Sequence, residues 1–546
     1  MMKQKNPRIY LFALIGILVF AAFIRLIKLD KTPSGFHADE ASFYINALAI
    51  SKTGADEDGK KLPLSLSSFI DPKPAVFSYF QVPFIMTIDN HVFAARLPSV
   101  ILSIFSLLLT YLVILKVSDK RIGLLTTFIL SISPWHIIIS RGTQEVIASF
   151  FFLLLSIYLF IIYMEKQKRS IPLIVSFFTS SFLSMYFYHS AKVLLPLIIF
   201  GYLLFIFKKS KFFIKASLLI LFLTTLSLFL SLSIQESGSR IAAVGILADE
   251  APQHRLIEQI YTAHEQLPIT TVRIFYNKIG AYSHAILAEY VTYFSPDFLF
   301  LKGGKPNRYI VPCVGLLYLI ELPLILLGLY SSIQSKKKES LLFLGLLAIA
   351  PIPAALTRLE TPSIIRSFPM IISITYFISV GIITIWKLKN RFFRFGMIAV
   401  ISLVYLWQIG YFIVQYDVQA YYDQPWYRNS PYTEIAKEVS KISENYSEIR
   451  VTNDLRPLYT YFVIENLIDI SDLQNNPHIR DAQEYSLGKF TFNRGVCEFG
   501  DRKSGVLYIA ETQCRKQIED SNLFEVVATI SYQDETPVYE LLQIKQ

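Results

Sequence analysis

Two adjacent carboxylates, Asp39 and Glu40, stand in the segment Gly35-Phe36-His37-Ala38-Asp39-Glu40, just past an apolar run long enough to cross a bilayer. Cations recur on the same side of the chain. Lys73, Arg96, Arg141 and Arg366 fall in loops or at span ends that the charge pattern places outside, and Arg25 lies within a turn or two of that surface. Basic residues normally collect on the cytoplasmic side, so arginines facing outward need a reason. Carboxylates beside such cations suit one chemistry in particular. A carboxylate takes the proton from an acceptor hydroxyl, and the cations stabilise a departing phosphate. Asp39 and Glu40 are the candidate catalytic pair. Arg25, Lys73, Arg96, Arg141 and Arg366 are the candidate phosphate-binding set, with Asp71 and Glu145 as further candidates. The plainer reading of Asp39 and Glu40 is two solvated charges at a helix N-terminus, where the helix dipole favours anions.

These side chains must be positioned by membrane helices. Of 546 residues, 53% are hydrophobic and 17% charged, well below the quarter or so usual in soluble domains. Apolar runs of about 20 residues recur through the first three quarters of the chain. The net charge of +10 comes from short basic clusters between these runs, a topological pattern rather than a nucleic-acid surface. Alternating sides from a cytoplasmic N-terminus gives about eleven spans and puts Lys116/Lys120/Arg121, Lys166/Lys168/Arg169, Lys208/Lys209, Lys336–Lys338 and Lys387/Lys389/Arg391 all inside. The expected spans include 9–29, 93–116, 122–139, 171–188, 191–207, 213–234 and 310–331.

The first outer loop, 30–92, is expected to hold two helices lying on the membrane. One covers 39–51 and the other starts at Pro74. A long outer loop covers 235–308. Its histidines His254, His264 and His284 lack the spacing of a helical zinc site, so no metal site is assigned. From about 416 polar residues return. A helix over 432–446 and strands at 449–452, 505–509, 524–530 and 538–542 describe a small soluble α/β domain. The division is thus 1–415, a transmembrane catalytic domain, and 416–546, an extracytoplasmic domain. Cys497 and Cys514 are close enough in sequence to pair if that domain is outside, and the spacing alone leaves this open.

The order of features resembles a known family. Arg25-Leu26-Ile27-Lys28-Leu29, Pro33, then Asp39-Glu40 resembles the end of the first span and the Asp-Glu motif of GT-C glycosyltransferases. The similar branch holds the protein O-mannosyltransferases and the lipid A aminoarabinose transferase. Asp71-Pro72-Lys73-Pro74, Ala95-Arg96-Leu97-Pro98-Ser99 and Ser133-Pro134-Trp135 with Ser140-Arg141 and Glu145 continue the resemblance. It implies a GT-C transmembrane helical bundle and an inverting transferase that uses a polyprenyl-phosphate sugar. It implies a base at Asp39, and Arg25 and Arg96 near the donor phosphate. It requires no cofactor and is compatible with a divalent metal. The implied setting is the cytoplasmic (inner) membrane, among membrane lipids, with the active site outside. A protein, lipid or cell-wall glycan acceptor each fits. The rival class is a lipid or glycolipid transporter. Transporters place their charges near the bilayer midplane, whereas here they gather at one face.

Overall fold

The computed structural model describes residues 7–545 except 67–72, 167–169, most of 207–244, 453–456, 478, 480–481, 496, 498–501 and 516–520. The expected span 213–234 and Asp71 lie outside the described residues. The chain packs as two units. One comprises Met1–Arg25, Ile101–Ser140 and Glu145–Gln415; the other Leu26–Val100, Arg141–Gln144 and Tyr416–Gln546.

The first unit is helical. Among the described residues, five helices are long and apolar enough to cross a membrane, or six if one bent pair counts as a span. The chain is a multi-pass membrane protein. α1 (Pro7–Leu26) turns Phe12, Val19 and Phe23 outward, as a lipid-facing helix does. α4 (His91–Val117) enters this unit at Ile101. α5 (Lys120–Ile132) and α6 (Pro134–Ser140) together occupy the expected span 122–139, but bend by 61°. The cause is Pro134, whose ring and missing N–H interrupt the ladder at Ser133. α7 (Glu145–Lys166) meets α8 (Ile171–Phe187) through small polar residues. Ser149 Oγ donates to the Ser184 carbonyl at 2.8 Å, and the Ser156 and Ser181 hydroxyls are 2.7 Å apart. α9 (Ser190–Ile206) returns after the turn at Tyr188 and His189, as the sequence implies.

Within the expected loop 235–308, the described residues form α10 (Ala251–His264), α11 (Ile269–Phe275) and α12 (Lys278–Thr292). The expected span 310–331 is corrected. Its helix, α13, covers Glu321–Ser335. Residues before it make turns, because Pro312 cannot continue a helical ladder and Gly315 lies where a Cβ would overlap the Phe300 backbone. α14 (Lys338–Ile349), α15 (Ile352–Ala355), α16 (Met370–Trp386) and α17 (Arg391–Val414) complete the unit. α13 and α16 approach closely at Gly328 and Gly381, where an added Cβ would overlap the partner's backbone.

The second unit is a six-stranded sheet with helices against it. The strand order is β4 (Glu484–Leu487), β5 (Phe490–Asn493), β3 (Glu448–Val451), β6 (Val506–Glu511), β8 (Pro537–Ile544), β7 (Phe524–Ser531). β3 runs parallel to β5 and β6; the outer pairs are antiparallel. Four strands match the expected ones, and the β4–β5 hairpin is additional. β1 (Ser65–Leu66) and β2 (Lys73–Pro74) form a separate short ladder. The disulfide Cys497–Cys514 is present.

The first loop contributes directly to this unit's core. α2 (Ala38–Thr53) does not lie on a membrane as expected. Phe43, Tyr44, Ile45, Ala47 and Ala49 are buried around its whole circumference. Phe36, Tyr44 and Ile45 share one apolar core with Ile435 and Val439 of α18 (Ser430–Ile442), Phe462 of α19 (Tyr459–Ile464), and Ile449 and Leu507 of the sheet. Burial on every side is what a helix with no polar stripe requires. α3 runs over Val76–Ile85, so Pro74 sits in β2 rather than opening the helix.

Candidate active site

α2 begins with a reciprocal cap. The Asp39 N–H donates to His37 Nδ1 at 3.0 Å, and the His37 N–H donates to Glu40 Oε2 at 3.3 Å. Just before it, Gly35 adopts φ 75°, and a Cβ there would overlap the Arg428 carbonyl. Only glycine meets both demands. The Tyr461 hydroxyl donates to the Phe36 carbonyl at 2.5 Å. The segment carrying the carboxylate pair is thus fixed from both ends.

The two carboxylates then diverge. Glu40 Oε1 and Oε2 accept from Arg96 Nε and Nη2 at 3.0 and 2.9 Å, a two-pronged pair. The Thr143 N–H donates to Oε1 at 2.8 Å, and the capping bond from His37 brings the total to four. That saturates a carboxylate. Burial raises the Glu40 pKa, but Arg96, Thr143 and the other donors outweigh it and hold it below the usual 4.5. Arg96 is fully buried. Its remaining contacts are the carbonyls of Leu29 and Pro33 at 3.0 Å and of Gly35 at 2.6 Å. Every N–H of its guanidinium is therefore occupied inside the protein.

Asp39 stays accessible. Its side chain keeps 32% of its surface against 7% for Glu40. Lys73 Nζ donates to Oδ1 at 2.5 Å, reaching over the Phe43 ring at 5.1 Å. The β1–β2 ladder sets the position of Lys73 by pairing it with Leu66. His37 Nδ1, which accepts the Asp39 N–H, lies 3.4 Å from Oδ2.

The other candidates are placed as follows. Arg141 Nη2 donates to the carbonyls of Ile27, Lys28 and Thr32, and its guanidinium stands 5.8 Å from the Tyr416 ring. Arg25, in the first unit, donates to the Ala21 and Ser131 carbonyls and contacts His136 Nδ1 at 2.8 Å. Arg366, also there, bonds Thr357 Oγ1 and the Leu359 carbonyl. Glu145 is the half-buried first residue of α7. The structure thus brings Asp39, Glu40, Lys73, Arg96 and Arg141 into one unit, and places Arg25, Glu145 and Arg366 in the other. Sequence reasoning missed His37 and His136; the i, i+3 spacing of His37 and Glu40 is a capping signal that was there to read. No group of three or more His, Cys, Asp or Glu able to hold a metal occurs among the described residues.

Residues 72–230 match the family model described as dolichyl-phosphate-mannose-protein mannosyltransferase; the match begins beyond Asp39 and Glu40. The structure superposes on ArnT from Cupriavidus metallidurans bound to undecaprenyl phosphate with a TM-score of 0.51 at 8% identity, covering 96% of this chain and 97% of that one. The chain has the GT-C fold. The apo form of ArnT matches with a TM-score of 0.50 over the same shares. The archaeal oligosaccharyltransferase AglB from Archaeoglobus fulgidus, in complex with an inhibitory peptide and a dolichol-phosphate, gives a TM-score of 0.47 at 13% identity. That match covers 83% of this chain and 63% of AglB. No curated protein sequence matches.

Proposed function

We propose that this GT-C protein is an inverting glycosyltransferase that moves one sugar, mannose being the model case, from a polyprenyl phosphate to an acceptor hydroxyl at the outer face of the cytoplasmic membrane. The observation that carries the reading is the contrast at the start of α2. Asp39 is an accessible carboxylate held beside a lysine, and its neighbour Glu40 is locked away to position it. Asp39 takes the proton from the acceptor hydroxyl. The acceptor oxygen attacks the anomeric carbon from the face opposite the phosphate. The carbon–oxygen bond to phosphate breaks, and the lipid phosphate leaves with the electron pair. The ion pair with Lys73 favours the ionised carboxylate, the form a base needs. When donor binds, the Lys73 ammonium pairs with the phosphate in place of Asp39, and the Asp39 carboxylate accepts the proton. Arg96 and Arg141 act as positioning residues through the 27–35 backbone. Arg25 and Arg366 are kept as donor-side residues of the first unit.

Undecaprenyl phosphate bound to the fold relative ArnT supports a polyprenyl-phosphate donor. About eleven spans, a membrane part over 1–415 and an outside domain over 416–546 complete the proposal. The Cys497–Cys514 disulfide supports an oxidising compartment for that domain. The test is turnover of a panel of radiolabelled polyprenyl-phosphate sugars by membranes holding wild type or Asp39→Asn. Transfer of at least one sugar by wild type alone is expected; equal turnover by both removes Asp39 from the role. Single cysteines placed at Ser51 and Ser335 test the topology. An impermeant thiol reagent on intact cells should reach position 51 and not 335.

A further inference from the structure

The second unit contains a cavity of 270 Å³ that the site above does not use. Its wall includes Phe36 and Tyr461, both buried, with Ile464 beside them. Around this apolar patch stand two acceptors and several donors. Asp89 and Glu465 contribute carboxylates, Lys437 an ammonium, Asn90 an amide and His91 an imidazole. His91 Nδ1 is 2.7 Å from the Tyr44 hydroxyl. When Tyr44 donates that bond, the ring's proton sits on Nε2, which is then a donor. Thr433 also lines the cavity, and its Oγ1 is buried with no hydrogen-bond partner among the described residues. A buried hydroxyl without a partner is costly, and a turn about χ1 that brings it to the cavity surface lets a ligand hydroxyl relieve it.

The chemistry narrows the ligand. The volume is slightly under the roughly 300–1,000 Å³ of drug-sized pockets, so it suits one small ring and not a polyprenyl tail. One lysine against two carboxylates disfavours a phosphate. An apolar wall with mixed donors and acceptors at its rim matches a pyranose, which presents an apolar C–H face and a girdle of hydroxyls.

We propose that this cavity is a sugar-binding subsite that holds one neutral pyranose unit of a glycan acceptor. The word acceptor rests on the transferase reading; the sugar-binding claim does not. Phe36 lies three residues before Asp39, so their Cα atoms are at most about 11 Å apart. A sugar held against Phe36 is therefore anchored on the same segment that carries the base. The Phe36 carbonyl is fixed by Tyr461, a residue of the same cavity.

The test is saturation-transfer NMR on the full chain in nanodiscs, with methyl α-mannopyranoside, methyl β-glucopyranoside, methylammonium and inorganic phosphate as probes. Ring-proton signals from at least one pyranoside are expected in wild type, and equally in Asp39→Asn. The dissociation constant should rise about ten-fold in Thr433→Val and in Asp89→Asn; Asp89 is exposed, so its replacement leaves the fold intact. No pyranoside signal, signals unchanged in both variants, or binding of methylammonium or phosphate alone overturns the subsite. Pyranoside binding without turnover of any polyprenyl-phosphate sugar supports the sugar pocket and sinks the transferase reading. Turnover without pyranoside binding does the reverse.

Discussion

The surroundings of Asp39 and of Glu40 differ more than any sequence scale distinguishes an aspartate from a glutamate. On one side, Lys73 meets a carboxylate that retains a third of its surface. On the other, a fork of two bonds from Arg96, with Thr143 and His37, closes the carboxylate off. A group that must exchange protons needs an open coordination site, and a group that must hold a loop needs none. Adjacent residues of one helix turn satisfy these opposite demands because they point about 100° apart. In the proposed mechanism the exposed carboxylate is the reactive one, and the closed one keeps it in place.

The sharpest way to break this comparison is Asp39→Asn. An amide cannot take a proton at neutral pH, so transfer should fall by at least about 10²–10⁴-fold while the melting temperature holds. An equal loss of melting temperature would make the open side structural too. Arg96→Ala should act on the closed side. It strands a buried carboxylate and five bonds at once, at about 3–5 kcal/mol of stability read by thermal or denaturant unfolding. Retained stability would mean the fork is not the lock described. Lys73→Ala removes a charge-assisted bond but no buried lock. It should lower kcat/KM roughly ten- to a hundred-fold, with little change in unfolding. The smallest effect is in acid. The pKa of Glu40 is lower in the folded state than its ordinary 4.5, so its contribution to stability is present above that value and lost as pH falls through the folded value. Melting curves of wild type and Glu40→Gln should therefore differ most above pH 4.5 and converge below it.

Much of this was legible in advance, and the exceptions share a cause. Asp39, Glu40 and Lys73 stand out because charges flank apolar runs, and apolar runs announce themselves. That Glu40 pairs with Arg96 was not legible. The two are 56 residues apart, and nothing in either neighbourhood reports the other. Phosphate binding was a fair reading of Arg96 as an outward arginine. Its full complement of carbonyl and carboxylate partners comes from how the loop folds back on it. The helix 39–51 is expected on a membrane because Phe43, Ala47 and Ile50 fall on one face. The sheet and α18 that bury it come from the far end of the chain, beyond the reach of local periodicity. The turns at 310–320 failed for the opposite reason. Their residues are as apolar as a span, and only Pro312 and Gly315 hinted at the break.

The hydrogen bond from Tyr461 to the Phe36 carbonyl joins residues 425 positions apart. A ribosome adds about 5–20 residues per second, so the later partner emerges roughly 20–85 s after the earlier one. Through that interval the segment bearing Asp39 stands without the sheet that completes its surroundings. Phe36, Tyr44 and Ile45 wait with their apolar faces uncovered. The segment that carries Asp39 is thus among the last parts of the protein to mature, although it is among the first to be made.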